Sequence, residues 1–324
     1  MEFQDKNIVI TGGASGIGLA VAKQLAKAGA RLFLMSRNQQ KADAALEILG
    51  ASAQFIFCDV ASHTSVAEAF ATVAGEVDQL HFAINNAGIT APYAPIATSA
   101  PQDWDRVIHT NLNGPFYCLQ KELELISRYP DGAIVNVSSC AGVMPMANQA
   151  AYVASKTALN ALTQVAAMEN ACDSESGFAV RVNAVAPGPT LGGMNSAERL
   201  AAHPENTQRK RDVTAMKRFA HPEEIDHRCE HRYRQRSGTL SLGQGRRGAR
   251  GITQSCGQYP VTGALSLPQV RLDRYRPRPG NPAGVAVALP CPGRHRLPEC
   301  GSVRQPSTTG HANLDAGVQQ RPGT

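Results

Sequence analysis

No apolar run among the 324 residues approaches the eighteen or so that a membrane span needs, which argues against a helical membrane protein. The start, MEFQDKNIVITGG, lacks a positively charged leader followed by a long hydrophobic stretch, so no secretory signal is expected and the chain reads as cytoplasmic. Close CxxC pairs are missing too. Eight cysteines fall four before and four after residue 226, a pattern that suits reduced, buried thiols better than a disulfide framework. No Lys-Ser/Thr pair follows the glycines of TGGASGIG (11–18), which excludes a Walker A loop. The last 98 residues hold no lysine, no phenylalanine and no methionine.

That last absence separates two populations. Residues 1–226 carry 17 Lys+Arg against 22 Asp+Glu, a balance of −5, whereas residues 227–324 carry 15 arginines against 4 carboxylates, a balance of +11. The formal charge of +6 therefore belongs to the tail and is no nucleic-acid signature of the main region. Glycine and proline supply 24 of the tail's 98 residues, a composition poor in what builds a core. The expected boundary lies at residue 226, with a poorly ordered Arg/Gly/Pro-rich segment over 227–324. Its abrupt onset looks like translation in a shifted reading frame, and a divergent extension fits the same composition. Within it GRRGARG (245–251) is a single basic cluster without interleaved aromatics, and HRCEH (227–231) offers His227, Cys229 and His231 without a second ligand pair close by. Neither nucleic-acid binding nor a metal site is expected from them.

The first 190 residues alternate short β-rich runs with longer helical patterns. The runs are NIVIT (7–11), RLFLMS (31–36), QFIFCDV (54–60), LHFAIN (80–85), AIVNVSS (133–139) and VRVNAVAP (180–187). Between the first two, Ile17, Val21 and Leu25 recur at a four-residue step and Gly29 reads as the end of the helix. Strand runs that are apolar throughout and separated by helices predict an α/β fold, a doubly wound parallel sheet of Rossmann type. Ligands bind such sheets at the carboxyl ends of the strands, so the residues just after each strand carry the functional question.

After the first strand, Gly12, Gly16 and Gly18 lead into a helix. Glycines there allow a tight turn and a close backbone approach to a pyrophosphate, and the helix N-terminus adds partial positive charge. NNAG (85–88) closes the fourth strand, Ser138-Ser139 the fifth, and YVASK sets Tyr152 and Lys156 one turn apart on a helix face. Taken with Asn111 in NLNG, the Ser thirteen residues before the Tyr, and RVNAVAPG, these motifs resemble the short-chain dehydrogenase/reductase family over roughly residues 5–225.

The resemblance implies an NAD(P)-dependent oxidoreductase that moves a hydride between a nicotinamide and a secondary alcohol or ketone. A carbonyl accepting hydride develops oxyanion charge and needs preplaced donors. Tyr152 is implied as the proton donor, Ser139 as the group holding the oxygen, Lys156 as a cation lowering the Tyr152 pKa and holding the ribose, and Asn111 as support for a proton-resupplying water chain. The implied cofactor contacts are Gly12, Ser15, Gly16, Ile17 and Gly18 in the loop, and Ser36 with Arg37 after the second strand. Asp59 with Val60, then Asn86, Ala87 and Gly88, and finally Pro187, Gly188 and Thr190 complete the set beside Tyr152 and Lys156. A guanidinium at position 37, where an acid would repel a 2′-phosphate, favours NADP(H) over NAD(H). Thr190 and Gly192 depart from the family pattern of an aliphatic residue and a Thr. The resemblance places substrate selectivity in the loops after Asn86, Ser139 and Gly188, ITAPYAPIATS, CAGVMPMANQA and PTLGGMNSAERL, where Val143, Met144, Met146 and Met194 offer an apolar wall, although methionine more often simply fills space; a surface loop insertion is expected within ENACDSESGFAVRVN.

The implied partners are a small alcohol or carbonyl compound and, by family habit, further copies of the chain; no nucleic acid, membrane or metal is expected. Two functional readings stand. One is an active oxidoreductase; the other is a catalytically impaired dinucleotide-binding or interaction protein, because the foreign C-terminus replaces the family's last helix and strand.

Overall fold

The computed structural model describes residues 3–173, 177–212 and 214–225. The expectations for the tail beyond residue 226, its order, its origin, and its basic and His/Cys clusters, lie outside the described residues. Among those described, six strands form one all-parallel sheet in the order β3-β2-β1-β4-β5-β6. They are β1 (Asn7–Thr11), β2 (Arg31–Ser36), β3 (Ala53–Phe57), β4 (Phe82–Asn85), β5 (Gly132–Val137) and β6 (Val180–Val185). The third run ends earlier than its apolar pattern suggests, so Asp59 and Val60 lie in the loop beyond β3.

The apolar strands are buried on both faces because consecutive side chains point to opposite sides of the pleat. Ile8, Ile10, Leu32 and Leu34 pack with Val21 and Leu25 of α1 (Gly16–Lys27) and Leu49 of α2 (Gln39–Leu49). Val9, Phe33 and Met35 pack with Phe70 of α3 (His63–Glu76) on the other face. That face also holds Leu119 of α5 (Gly114–Ile126), which follows α4 (Pro101–Ile108), and Ala166 of α6 (Ala150–Glu169). Each large side chain removed from water stabilises by roughly 1.5–3 kcal/mol, which fixes the register on both sides. Gly29 has φ +94° just after the end of α1, a conformation that favours glycine and ends the helix as its sequence position implies.

The winding direction reverses between the parallel neighbours β1 and β4. From β1 the chain winds outward to β2 and β3, and from β4 it winds the opposite way to β5 and β6. The two loops at this switch therefore diverge and leave a crevice between them. Register places Thr11 beside Asn85, so the glycine loop and NNAG leave the sheet together. One hydroxyl fixes their spacing: Thr11 Oγ1 accepts from the main-chain N–H groups of Asn86 (3.1 Å) and Ala87 (3.2 Å). After β6, the short α7 (Ala197–Ala202) and α8 (Pro204–Asp212) fold beside the strand ends, and a helical turn starts at 223–225.

Among the described cysteines, Cys58 and Cys118 are buried thiols as expected, whereas Cys172 is exposed. It sits in the α6–β6 connection, part of which lies outside the described residues.

Candidate active site

Both loops of the switch open into one cavity of about 230 Å³ at the carboxyl ends of the strands. Its first wall is main chain. Gly12 and Gly16 adopt φ of +65° and +57°, where a side chain would strain the backbone. A Cβ on Gly18 would lie 2.4 Å from Gly12 O and 2.6 Å from Asn86 Nδ2, so only glycine fits where the helix crosses the turn. Asn86 reinforces the turn by donating from Nδ2 to Thr11 O (3.2 Å) and Gly12 O (3.1 Å).

Ser15 stands at the N-cap of α1 but makes no side-chain cap, so the first N–H groups of this helix keep their donor capacity for a ligand. Those donors, the partial positive charge of the helix end and a cradle that a Cβ would fill fit the pyrophosphate of a dinucleotide. Gly12, Ser15, Gly16 and Ile17 line the cavity, as do Asn86, Ala87 and Gly88; Gly18 lies behind them.

The facing wall is made of side chains. Ser139 starts a short 3-10 turn after β5 with its Oγ accepting from Ala141 N at 3.2 Å. Tyr152 and Lys156 stand one turn apart on α6, which also sets Thr163 against Asn136 of β5 and Asn160 against Gly142 O. Burial pushes the Tyr152 hydroxyl up to about 12; Cys140 and Tyr93 add to the rise and the Ser139 hydroxyl opposes it. The expected lowering by Lys156 is not found in this arrangement. Lys156 Nζ instead donates to Val137 O at 2.8 Å, and burial holds its pKa down to about 8. A Cβ on Gly142 would meet the Lys156 carbonyl at 2.8 Å, so this glycine lets the β5–α6 connection lie against the helix.

Asn111 is fully buried outside the cavity wall, in a π-helical turn (His109–Asn113) between α4 and α5, a distortion that often marks functional sites. Its side chain spans both main-chain groups of Ile89, accepting from N at 2.8 Å and donating to O at 2.9 Å, and also donates to Ser155 Oγ at 3.2 Å. Both amide hydrogens are thus used internally, and the side chain braces the segment after Gly88.

The third wall follows β6. Pro187, Gly188 and Thr190 line the cavity, and Thr190 bridges to Ala220. Gly192 and Asn195 then exchange main-chain hydrogen bonds in a tight turn, with φ of +79° and +52° at Gly192 and Gly193. This turn meets the glycine loop, since a Cβ on Gly16 would stand 3.3 Å from Gly193 N. Of the expected apolar wall, Met146 and Met194 line the cavity; Val143 and Met144 do not, and Val143 faces solvent because the 3-10 turn rotates it outward.

Ser36, Arg37, Asp59 and Val60 lie outside the cavity lining. Arg37 and Asp59, assigned separate contacts from the sequence, form an exposed ion pair at 3.6 Å across the tips of β2 and β3. Val60 is buried against Gly114, where a glycine Cβ would come within 3.1 Å of it, so it has a packing role. The cavity also recruits Thr90, Tyr93, Cys140, Gln149 and Asn195 from the loops after Asn86, Ser139 and Gly188, and Lys210, which no motif or loop singled out. Among the described residues no His/Cys/Asp/Glu cluster could hold a metal ion, and no helix is long and apolar enough to cross a membrane.

The profile of the short chain dehydrogenase family matches residues 6–202. A 3beta-hydroxysteroid dehydrogenase of Mediterraneibacter gnavus is 38% identical over 191 residues, 58% of this chain and 67% of that protein. An uncharacterized oxidoreductase of Thermotoga maritima is 34% identical over 231 residues, 69% of this chain and 88% of that one. Among solved structures, a variant of actinorhodin polyketide ketoreductase with NADPH superposes with a TM-score of 0.64 at 27% identity, covering 71% of this chain and 90% of that chain.

Proposed function

The chain belongs to the short chain dehydrogenase family, an oxidoreductase family that uses NAD(P), and from that premise we propose that it interconverts a secondary alcohol and a ketone with NADP(H), Tyr152 acting as general acid and base. The observation that carries this reading is that Ser139, Tyr152 and Lys156 line the same cavity as the glycine loop. The nicotinamide, when bound, supplies or accepts the hydride.

The chain's own residues do the rest. Ser139 holds the carbonyl oxygen as charge grows on it, and Tyr152, protonated across the neutral range, delivers the proton in reduction. In the reverse direction a substrate hydroxyl must give its proton to a tyrosinate, which a cation nearby favours. Lys156, one turn along α6 on the same cavity wall, is such a cation, and its pKa of about 8 leaves it mostly protonated at pH 7. Asn111 acts by bracing Ile89 rather than through a free amide.

Preference for the phosphorylated dinucleotide rests on Arg37. Its side chain is more than half exposed and its pairing with Asp59 at 3.6 Å is loose. Exposed pairs of this kind contribute under about 1 kcal/mol, so the guanidinium can turn to a 2′-phosphate at little cost.

The test is Tyr152→Phe, assayed for reduction of simple ketones and for dinucleotide binding by fluorescence. Turnover is expected to fall about 10²–10⁴-fold with binding retained. Wild-type turnover in the variant would remove Tyr152 from the reaction.

A further inference from the structure

Beyond the reacting groups, the cavity holds a cation with no acidic partner. Lys210, on the last turn of α8, is half-buried in the lining, donates from Nζ to Asn195 Oδ1 at 2.7 Å and stands 5.9 Å from the centre of the Tyr93 ring. Among the described residues no carboxylate lies within ion-pair distance of it. Of the acids near it in the chain, Asp212 accepts from Gln208, while Glu205 stands in the first turn of α8 and Glu198 in the first turn of α7. Like charge surrounds it instead. Arg199 acts on Lys210 and Arg209 on Tyr93.

A half-buried ammonium is costly unless paired, and neighbouring guanidinium groups raise that cost. The bland account, a solvated surface lysine, does not fit a side chain tied down by Asn195 inside the cavity. Asn195 is itself held, its Nδ2 donating to Thr190 O at 2.8 Å, so the ammonium is fixed relative to the third wall.

Gln149, 7% exposed and also in the lining, has a side-chain oxygen with no hydrogen-bond partner among the described residues. A buried unpaired oxygen costs about 1–3 kcal/mol and takes a donor, which a substrate hydroxyl supplies and a carboxylate or ketone oxygen does not, so Gln149 marks a polar cavity while Lys210 selects the charge. Tyr152, Tyr93 and Lys210 line one cavity of about 230 Å³, with Lys210 over the Tyr93 ring. The reacting group and the cation thus share one small space, which suits a compact molecule bearing both a carbonyl and an anion.

We propose that the substrate is a carboxylate-bearing ketone or secondary alcohol, an oxo or hydroxy acid, whose carboxylate is bound by Lys210. A lysine, a compact point charge with rotatable donors, suits such a group. This assignment rests on the oxidoreductase chemistry proposed above and deepens it.

The test compares matched pairs on the full-length protein. Cyclohexanecarboxylate and its neutral amide are titrated by calorimetry, and 4-oxocyclohexanecarboxylate and its carboxamide are assayed as substrates with NADPH and with NADH. The acid is expected to exceed the amide by about tenfold or more in affinity and in kcat/KM. In Lys210→Met that ratio falls to within about twofold, and in Lys210→Arg it is largely restored. Turnover of both ketones with no acid preference, or a preference that survives Lys210→Met, overturns the assignment and leaves the oxidoreductase reading standing. Acid-selective binding with no turnover of either ketone under either nucleotide sinks the oxidoreductase reading, and the substrate assignment with it.

Discussion

The two ends of the cavity are built from different materials. At the dinucleotide end the wall is main chain: Gly12, Gly16 and Gly18, a helix N-terminus without a side-chain cap, and Asn86 binding backbone oxygens. At the reacting and substrate end the wall is side chains from separate segments: Ser139 after β5, Tyr152 and Lys156 on α6, Tyr93 in the loop after β4, and Lys210 on α8. A main-chain wall tolerates no added atom and recognises what all dinucleotides share. A side-chain wall can be respecified one residue at a time, and selectivity resides there.

The largest effect expected from pressing on this contrast is at Gly18. An alanine Cβ would sit 2.4 Å from a backbone oxygen that cannot move without opening the turn. Gly18→Ala should weaken binding of NADPH and NADH alike and lower stability, by about 1–3 kcal/mol, read by fluorescence titration and thermal melts. Unchanged affinity for both nucleotides would mean that the cradle is soft and the contrast false.

Arg37→Asp tests whether the main-chain end carries any selectivity of its own. The ratio of catalytic efficiencies with NADPH and NADH should move toward NADH by more than about tenfold, or 1.4 kcal/mol. A ratio that stays put would make Arg37 only the partner of Asp59.

An effect on stability alone concerns the floor beneath both ends. Glu122 of α5 is fully buried, accepts from Asn85 Nδ2 at 2.8 Å, and burial pushes its pKa up from 4.5 to about 8. Between those values the folded chain keeps a proton that the unfolded chain has released. The stabilising contribution is therefore complete below about pH 4.5, drains away as pH rises, and is gone above about 8. Glu122→Gln should come close to the wild type near pH 5 and be more stable near pH 8.5, by roughly 4 kcal/mol in denaturant melts. Parallel stability curves for the two proteins would show that Glu122 is not protonated in the folded state.

The same contrast explains what could be read from the chain. Glycine spacing after β1 and the Tyr152–Lys156 step each lie within one local segment, so their geometry follows from turn and helix periodicity alone. Lys210, Gln149 and Tyr93 come to one cavity only through tertiary folding: Tyr93 and Gln149 lie in loops whose position after the strands could be read, but Lys210 of α8 carries no motif. The Arg37–Asp59 pair was hidden for the same reason: each residue follows its own strand, and only the β2–β3 pairing brings the tips together. The outward turn of Val143 depends on a 3-10 turn that apolar content could not reveal.

The π turn at 109–113 sets the phase of everything after it. Each residue advances an α-helix by roughly 100°, so a regular helix from Pro101 to Ile126 could not aim Asn111 at Ile89 while also turning Leu119 and Ile126 into the sheet. The wider turn works as a dial between two angular settings, one read by the strand-end loop and the other by the core. Shortening this turn by a single residue would therefore act at a distance, rotating the whole face of α5 and setting the bracing of Ile89 against the packing of the sheet.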